Sequence, residues 1–552
     1  MGTAEAQPDL LLVSADTRAP VLAGGVALTT ARGQAPTAVP LTERLWHDSR
    51  RPDDLAVQRW AVIAPRGPEG DELLARVAPL IDARAREQGA AVKLYRVRPG
   101  MTAIEAADWK RSVFLTSERH FQDLPRYQLI LGDLHQVSYE LQVSQAADGF
   151  VGRLAFDRPA HYAAYCAKLL AAEQAALPAP RAVFHAILDG TPATWAGSHG
   201  LVHPCVEHAR DLRARDVGLF PAEPQETGTL HPTPDKLLSH MREPGVLLSL
   251  GHGLGAPRGG WTDPASQRAL QGAPSFGAGG QLRGEDLAGA PCMPGGLWFM
   301  FACFGAGTPA TSKYARWLDA LVAHGHLPGR VDAIAACLPP PGAPPFVAAV
   351  PKTVLADPRG PLAFIGHIDL AWTYSFQERD LGRGLDRSGR FLAVLAAALR
   401  GDRMGPAFRE LYRWFERVNT DLTALDESGV DEPVRRAQLW LLRQDLAGFV
   451  LLGDPAARVA RAVDSNLARG TAPAAARAPA HDLAAELLGM TVLPAAATSA
   501  RPDRDELERA IGRLLAGSDT LERAAAAIGA APDELAALFS RYREAGRAAL
   551  GR

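Results

Sequence analysis

Two short stretches, Leu248-Ser-Leu-Gly-His-Gly-Leu-Gly255 and Leu297-Trp-Phe-Met-Phe-Ala-Cys-Phe-Gly305, decide how this chain is read. Each is an apolar run of strand length that ends among glycines, the pattern of a buried strand entering a turn. Each delivers one reactive side chain at that end, His252 in the first and Cys303 in the second. Ligands of open α/β sheets bind beyond the carboxyl ends of the strands, so both side chains are expected at one rim. A thiol and an imidazole brought together there are the parts of an activated sulfur nucleophile.

Outward from this pair, apolar runs predict strands over 10–13, 60–64, 92–97, 127–133, 182–189, 361–367 and 449–455. Helical periodicity covers 71–87, 157–176, a stretch from Thr308-Pro309 to Gly325, and most of 391–443. The alternation predicts an α/β fold with mostly parallel sheets covered by helices on both faces. Residues 1–177 read as an N-terminal α/β subdomain and 178–460 as a second one carrying His252 and Cys303. Residues 461–500 drift to Ala and Pro and read as a linker. Residues 501–552 form a small helical C-terminal domain, with one stripe at Leu507, Ile511, Leu514 and Leu515 and another at Leu535, Leu538, Phe539 and Tyr542. That domain reads either as a surface for a protein partner or as a helix pair docked on the core.

Composition removes several functional classes. Basic and acidic residues number 59 and 61, so the basic surplus of a nucleic-acid binder is missing. The first residues lack the basic and apolar regions of a secretory signal, and no apolar stretch approaches the ~20 residues that span a bilayer. Cys166, Cys205, Cys292, Cys303 and Cys337 are odd in number and scattered, which argues for a reducing compartment and a cytoplasmic protein. Gly251-His-Gly-Leu-Gly255 has no Lys-Ser/Thr pair behind it, so it is not a phosphate loop, and no cofactor is expected. His199, His203, Cys205 and His208 could ligate zinc, but Gly200 and Pro204 interrupt a helix and no second ligand pair follows. That stretch is read as a loop beside the cleft, with no metal. Residues 256–294, rich in Gly, Pro and Arg, are read as a mobile loop flanking the cleft, with Arg258, Arg268 and Arg283 as candidate self-cleavage points.

A free thiol has a pKa near about 8.5, so a nearby imidazolium or helix N-terminus is needed to raise its thiolate fraction at neutral pH. Cys303 is expected to have both, from His252 and from the helix that should begin at Thr308-Pro309. Glycine lets backbone N–H groups approach a ligand closely, and the N–H groups of Gly253 and Cys303 are the candidate oxyanion hole.

Leu250-Gly-His-Gly253 and Phe301-Ala-Cys303 resemble the histidine and cysteine motifs of gingipain-type cysteine peptidases, relatives of the caspases. Ala363-Phe-Ile-Gly-His-Ile-Asp-Leu-Ala-Trp372 resembles the strand and loop that line the substrate pocket in that family. Residues 127–133 and 449–455 resemble strand-Gly-Asp segments of its two-part catalytic unit. The resemblance covers about residues 10–460 and implies two caspase-like subdomains, the second catalytic, that cleave protein or peptide substrates without a metal. By it, Asp189 orients His252, and Asp369 and Trp372 line the substrate pocket, Asp369 as a receptor for a basic side chain. The acid that selects arginine in the family has no counterpart in Thr194-Trp-Ala-Gly-Ser-His199. Two further readings stand beside a plain endopeptidase. One is a catalytically silent scaffold of the same fold, and the other a regulated bacterial stress or defence protease whose tail recruits a partner.

Overall fold

The computed structural model describes residues 9–22, 24–26, 51–118, 120, 123–147, 149–175, 180–325, 331–380 and 383–459. The expected linker 461–500 and helical domain 501–552 lie outside the described residues.

In chain order the first strands are β1 (Leu12–Val13), β2 (Trp60–Pro65), β3 (Lys93–Val97), β4 (Tyr127–Leu131) and β5 (Phe150–Leu154). Next come β6 (Arg181–Ile187), β7 (Pro224–Thr229), β8 (Gly245–Leu250), β9 (His252–Leu254) and β10 (Pro274–Ser275). The last are β11 (Leu297–Phe301), β12 (Gly307–Thr308), β13 (Phe346–Val347), β14 (Ala363–His367), β15 (Gln377–Asp380), β16 (Arg383–Asp386) and β17 (Phe449–Gly453). Ten of them form one sheet in the order β3-β2-β4-β5-β17-β14-β11-β8-β6-β7. Every neighbouring pair is parallel except β14 and β17, which are antiparallel. The sheet therefore consists of two parallel halves running in opposite directions, joined along that one pair. This is the α/β, mostly parallel architecture the alternation of elements predicts.

Burial on both faces explains why the strands read as continuous apolar runs. Trp60, Val62 and Ala64 of β2 point into one cluster, and the alternate residues Ala61 and Ile63 point into another. The helices Pro68–Gln88 and Pro159–Gln174 pack on each other over the first half. The helices His203–Arg215 and Gly389–Arg400 pack together and against the strands of the second half. Among the described residues no helix is long and apolar enough to cross a membrane.

Three local expectations are corrected. The helix after Cys303 starts at Ala315, not at Thr308-Pro309: Gly307–Thr308 instead pairs with Phe346–Val347. The His-rich stretch is helical, because Gly200 falls in a π-helical turn (Ser198–Val202) and Pro204 in the first turn of His203–Arg215, where a missing N–H costs nothing. Residues 256–294 are built rather than looped, with helices Pro264–Leu270 and Gly284–Leu287, and with β10 paired to β9.

Candidate functional site

β8 and β11 are neighbours in register, Leu250 opposite Phe301, so their carboxyl ends leave the sheet side by side. The Gly251 N–H still bonds the Phe301 carbonyl, at 3.2 Å. Beyond that point the chain departs from the large sheet, and β9 pairs instead with β1 and β10. A Cβ on Gly253 would lie 1.9 Å from the Cys303 carbonyl oxygen, so only glycine allows the two turns to approach this closely. His252 and Cys303 are both completely buried at this junction.

Asp189 follows β6, the next strand over, and is brought to His252. Its Oδ2 lies 3.7 Å from His252 Nε2. The tighter link runs through Thr191, a residue the sequence reading passed over. Thr191 Oγ1 is 2.7 Å from Asp189 Oδ1 and 2.9 Å from His252 Nε2. A carboxylate only accepts, so the single hydroxyl proton of Thr191 goes to Asp189, and Thr191 must accept from His252. The proton of the neutral ring therefore sits on Nε2, and Nδ1 carries a bare lone pair. That Nδ1 is buried without a hydrogen-bond partner. Thr194 braces the arrangement by donating to Asp189 Oδ1 at 2.8 Å.

The thiol of Cys303 receives the Ala371 N–H at 3.2 Å and lies 3.5 Å from the Ala371 carbonyl. Burial pushes this thiol well above the ordinary cysteine range, only partly offset by the Ala371 N–H. Burial likewise lowers the pKa of His252, while Asp189 and then the Leu11 carbonyl pull it back up. Both groups are thus neutral in this closed arrangement. The helix N-terminus expected near Cys303 does not contribute, since the next helix begins twelve residues away at Ala315.

The two N–H groups assigned to the oxyanion hole converge on one acceptor. Gly253 N–H and Cys303 N–H both donate to the Leu11 carbonyl, at 3.1 and 3.3 Å. Gly253 and Cys303 thus share the Leu11 carbonyl, while Asp189 meets His252 directly at 3.7 Å and through Thr191.

The expected pocket residues, Asp369 and Trp372, lie on the loop that follows β14. Asp369 is buried, and its carboxylate accepts from the Ser312 hydroxyl (2.8 and 2.9 Å), the Lys313 N–H (2.8 Å) and the Leu370 N–H (2.8 Å). Its φ of 96° is a region that non-glycine residues avoid, at a cost of about 1–3 kcal/mol, and these bonds hold it there. A carboxylate so occupied braces the turn. The Trp372 indole packs among Tyr314 and Trp317, at ring separations of 5.6 Å, while its backbone lies opposite Leu10. The rail from 371 to 375 is held from behind by Asp445, which accepts from the Trp372 N–H (3.0 Å) and the Ser375 N–H (3.2 Å).

The His-rich helix assembles no ligand set. His203 faces Glu226 and Glu207, His208 faces Asp386, His199 bonds the Trp195 carbonyl, and Cys205 is buried against Ser388. No group of three or more His, Cys, Asp or Glu among the described residues is placed to hold a metal ion.

No family model matches the chain, and no curated protein matches its sequence. Among solved structures it is similar to one described as a protease, with 12% identity and a TM-score of 0.41 over 76% of this chain and 80% of that one. It is also similar to the Arg-specific cysteine proteinase gingipain R, with 10% identity and a TM-score of 0.40 over the same shares of the two chains.

Proposed function

We propose that the protein is a cysteine endopeptidase. In this reading Cys303 is the nucleophile and His252 Nδ1 the base that takes its proton and returns it to the leaving amine. Asp189, acting through Thr191, holds the ring in the required tautomer, and the Gly253 and Cys303 N–H groups stabilise the oxyanion. The observation that carries the reading is the convergence of the Gly253 and Cys303 N–H groups on one peptide carbonyl, that of Leu11. An oxyanion site is identified by donors aimed at a single acyl oxygen, and each is worth roughly 3–4 kcal/mol to the transition state. The chemistry needs no metal, because the lone pair on Nδ1 and the two N–H groups supply both the base and the charge stabilisation.

All five cysteines are buried and free of disulfides, which supports a reducing, cytoplasmic setting. The complete burial of Cys303 and His252 favours, as a second reading, a silent scaffold of the same architecture. A positional-scanning peptide library presented to the wild type and to Cys303→Ala separates the two. Hydrolysis that disappears in Cys303→Ala is the expected result, and hydrolysis that survives the substitution overturns the assignment.

A further inference from the structure

We propose that residues 9–13 lie in the cleft as a bound peptide would, with Leu11 in the acyl-donating position, so that the chain closes its own site and displays the class of peptide the site takes. This rests on the endopeptidase reading and adds substrate class and regulation to it. The contacts of these residues are those of an extended peptide held on both sides. On one side Leu11 N–H donates to the Ala371 carbonyl at 3.3 Å, and Thr373 N–H donates to the Asp9 carbonyl at 3.2 Å. Asp9 N–H closes that edge on the Thr373 hydroxyl, at 3.1 Å. These bonds make Leu10 an antiparallel partner of Trp372.

At the centre the Leu11 carbonyl fills the cradle of Gly253 and Cys303. On the other side β1 pairs in parallel with β9, Leu12 opposite Gly253 and Val13 opposite Leu254. Beyond Val13 the chain turns back through Ser14 and Arg18, and the Val21 N–H returns to the Leu12 carbonyl at 2.9 Å. The chain thus continues past the Leu11 carbonyl through Leu12 and Val13 and out of the cleft, as a substrate cut internally must.

Leu10, Leu11, Leu12 and Val13 are fully buried, so the filled cleft excludes water and reagents from Cys303. The side chain at the acyl position is aliphatic and uncharged. Asp369, the acid on the adjoining loop, is spent on Ser312, Lys313 and Leu370 and asks for no cation. A peptide with a leucine-like residue before the reacting bond is the substrate class this fits.

The test measures alkylation of Cys303 by iodoacetamide in the full chain, read by peptide mass spectrometry. Leu11→Arg should raise that rate at least about tenfold by favouring the open cleft, and Leu11→Ala should raise it less. Cys166 and Cys292, buried elsewhere, should keep their slow rates and report that the fold is intact. A synthetic peptide of residues 6–14 should restore protection in Leu11→Arg, and the same peptide carrying Leu11→Asp should not. If Leu11→Arg does not fold, Leu11→Ala with the two peptides decides alone. Unchanged Cys303 reactivity in folded variants, or equal protection by both peptides, overturns the inference. Protection by the leucine peptide with no hydrolysis of it or of any library peptide supports the self-occupied cleft and sinks the peptidase reading. Hydrolysis of library peptides by a variant that the leucine peptide neither protects nor competes with does the reverse.

Discussion

Thr191 Oγ1 lies 2.9 Å from His252 Nε2, closer than the Asp189 carboxylate at 3.7 Å. The hydroxyl turns a distant acid into a defined tautomer, because it gives its only proton to Asp189 and must accept from the imidazole. Thr191→Val should lower kcat/KM by about 10–100-fold, the equivalent of ~1.5–3 kcal/mol for a hydrogen bond to a charged system. Thr191→Ser should recover most of it. The pH dependence of kcat/KM should change shape in the valine variant and not in the serine variant, which separates positioning from general destabilisation.

Gly253→Ala places a methyl group 1.9 Å from the Cys303 carbonyl oxygen, against backbone that cannot rotate away. The two turns must separate, so the variant should lose hydrolysis and also about 1–3 kcal/mol of stability. Urea unfolding gives the second figure independently of any activity.

Asp445→Asn keeps one acceptor for the rail but turns an amide donor toward the other backbone N–H. Trp372 and Ser375 cannot then both be satisfied. The expected cost is about 1–3 kcal/mol in urea unfolding. Faster alkylation of Cys303 should accompany it, since Ala371 and Thr373 on the same rail hold residues 9–11 in place.

His185, on the strand that leads to Asp189, has its pKa pushed down to about 4 by burial and then by His240. The native ring stays neutral while the unfolded ring takes a proton below about 6.5. Its stabilising contribution is therefore complete above pH 6.5 and is lost as the pH falls from there through 4, by about 3 kcal/mol in all. His252, also lowered by burial, adds a loss of the same sign. Urea midpoints measured at pH 7 and 4.5 should converge in His185→Gln, which should lose about 2–3 kcal/mol less than the wild type over that interval.

The sequence carried the site's skeleton because strand ends are written in short-range patterns. β8 and β11 are apolar runs cut off by glycines, and His252, Cys303 and Asp189 each stand at such an end. Contacts set by long-range packing left no such mark. Thr191 looks like an ordinary helix-start residue, and only the approach of β8 to β6 gives its hydroxyl a second partner. β7, Pro-Gln-Glu-Thr-Gly-Thr, lacks an apolar pattern because it is the sheet's last strand. β5 hides a buried Arg153 whose charge is met by Gln142 and by the Gly132 and Val137 carbonyls, so it does not read as core. The strand expected over 10–13 is realised as Leu12–Val13 with Leu10 in an isolated bridge, but nothing local says that its partner lies about 240 residues downstream, at the candidate base.

Asp369, a charged residue in an apolar loop, owes its bracing partners to distant parts of the sequence. Its neighbours Ser312 and Lys313 are more than 50 residues earlier, and without them its turn would be untenable. The helix after Cys303 was misplaced for a related reason. Thr308-Pro309 has the look of a helix start, yet Gly307 and Thr308 are drawn into pairing with Val347 and Phe346.

The seam between the two halves of the sheet has a bearing on biosynthesis. β17 is the last described strand to emerge, and it is the piece that stands between β5 and β14. Asp454, immediately after it, accepts from Trp60 Nε1 and Arg84 in the earliest-made half. Until residue 454 has cleared the ribosome, the nascent chain carries two open sheet edges and an Arg84 lacking its buried counter-ion. A chain cut short just before Phe449 would keep every residue of the candidate catalytic set. It would nonetheless be expected to stick to its own copies through those edges instead of assembling.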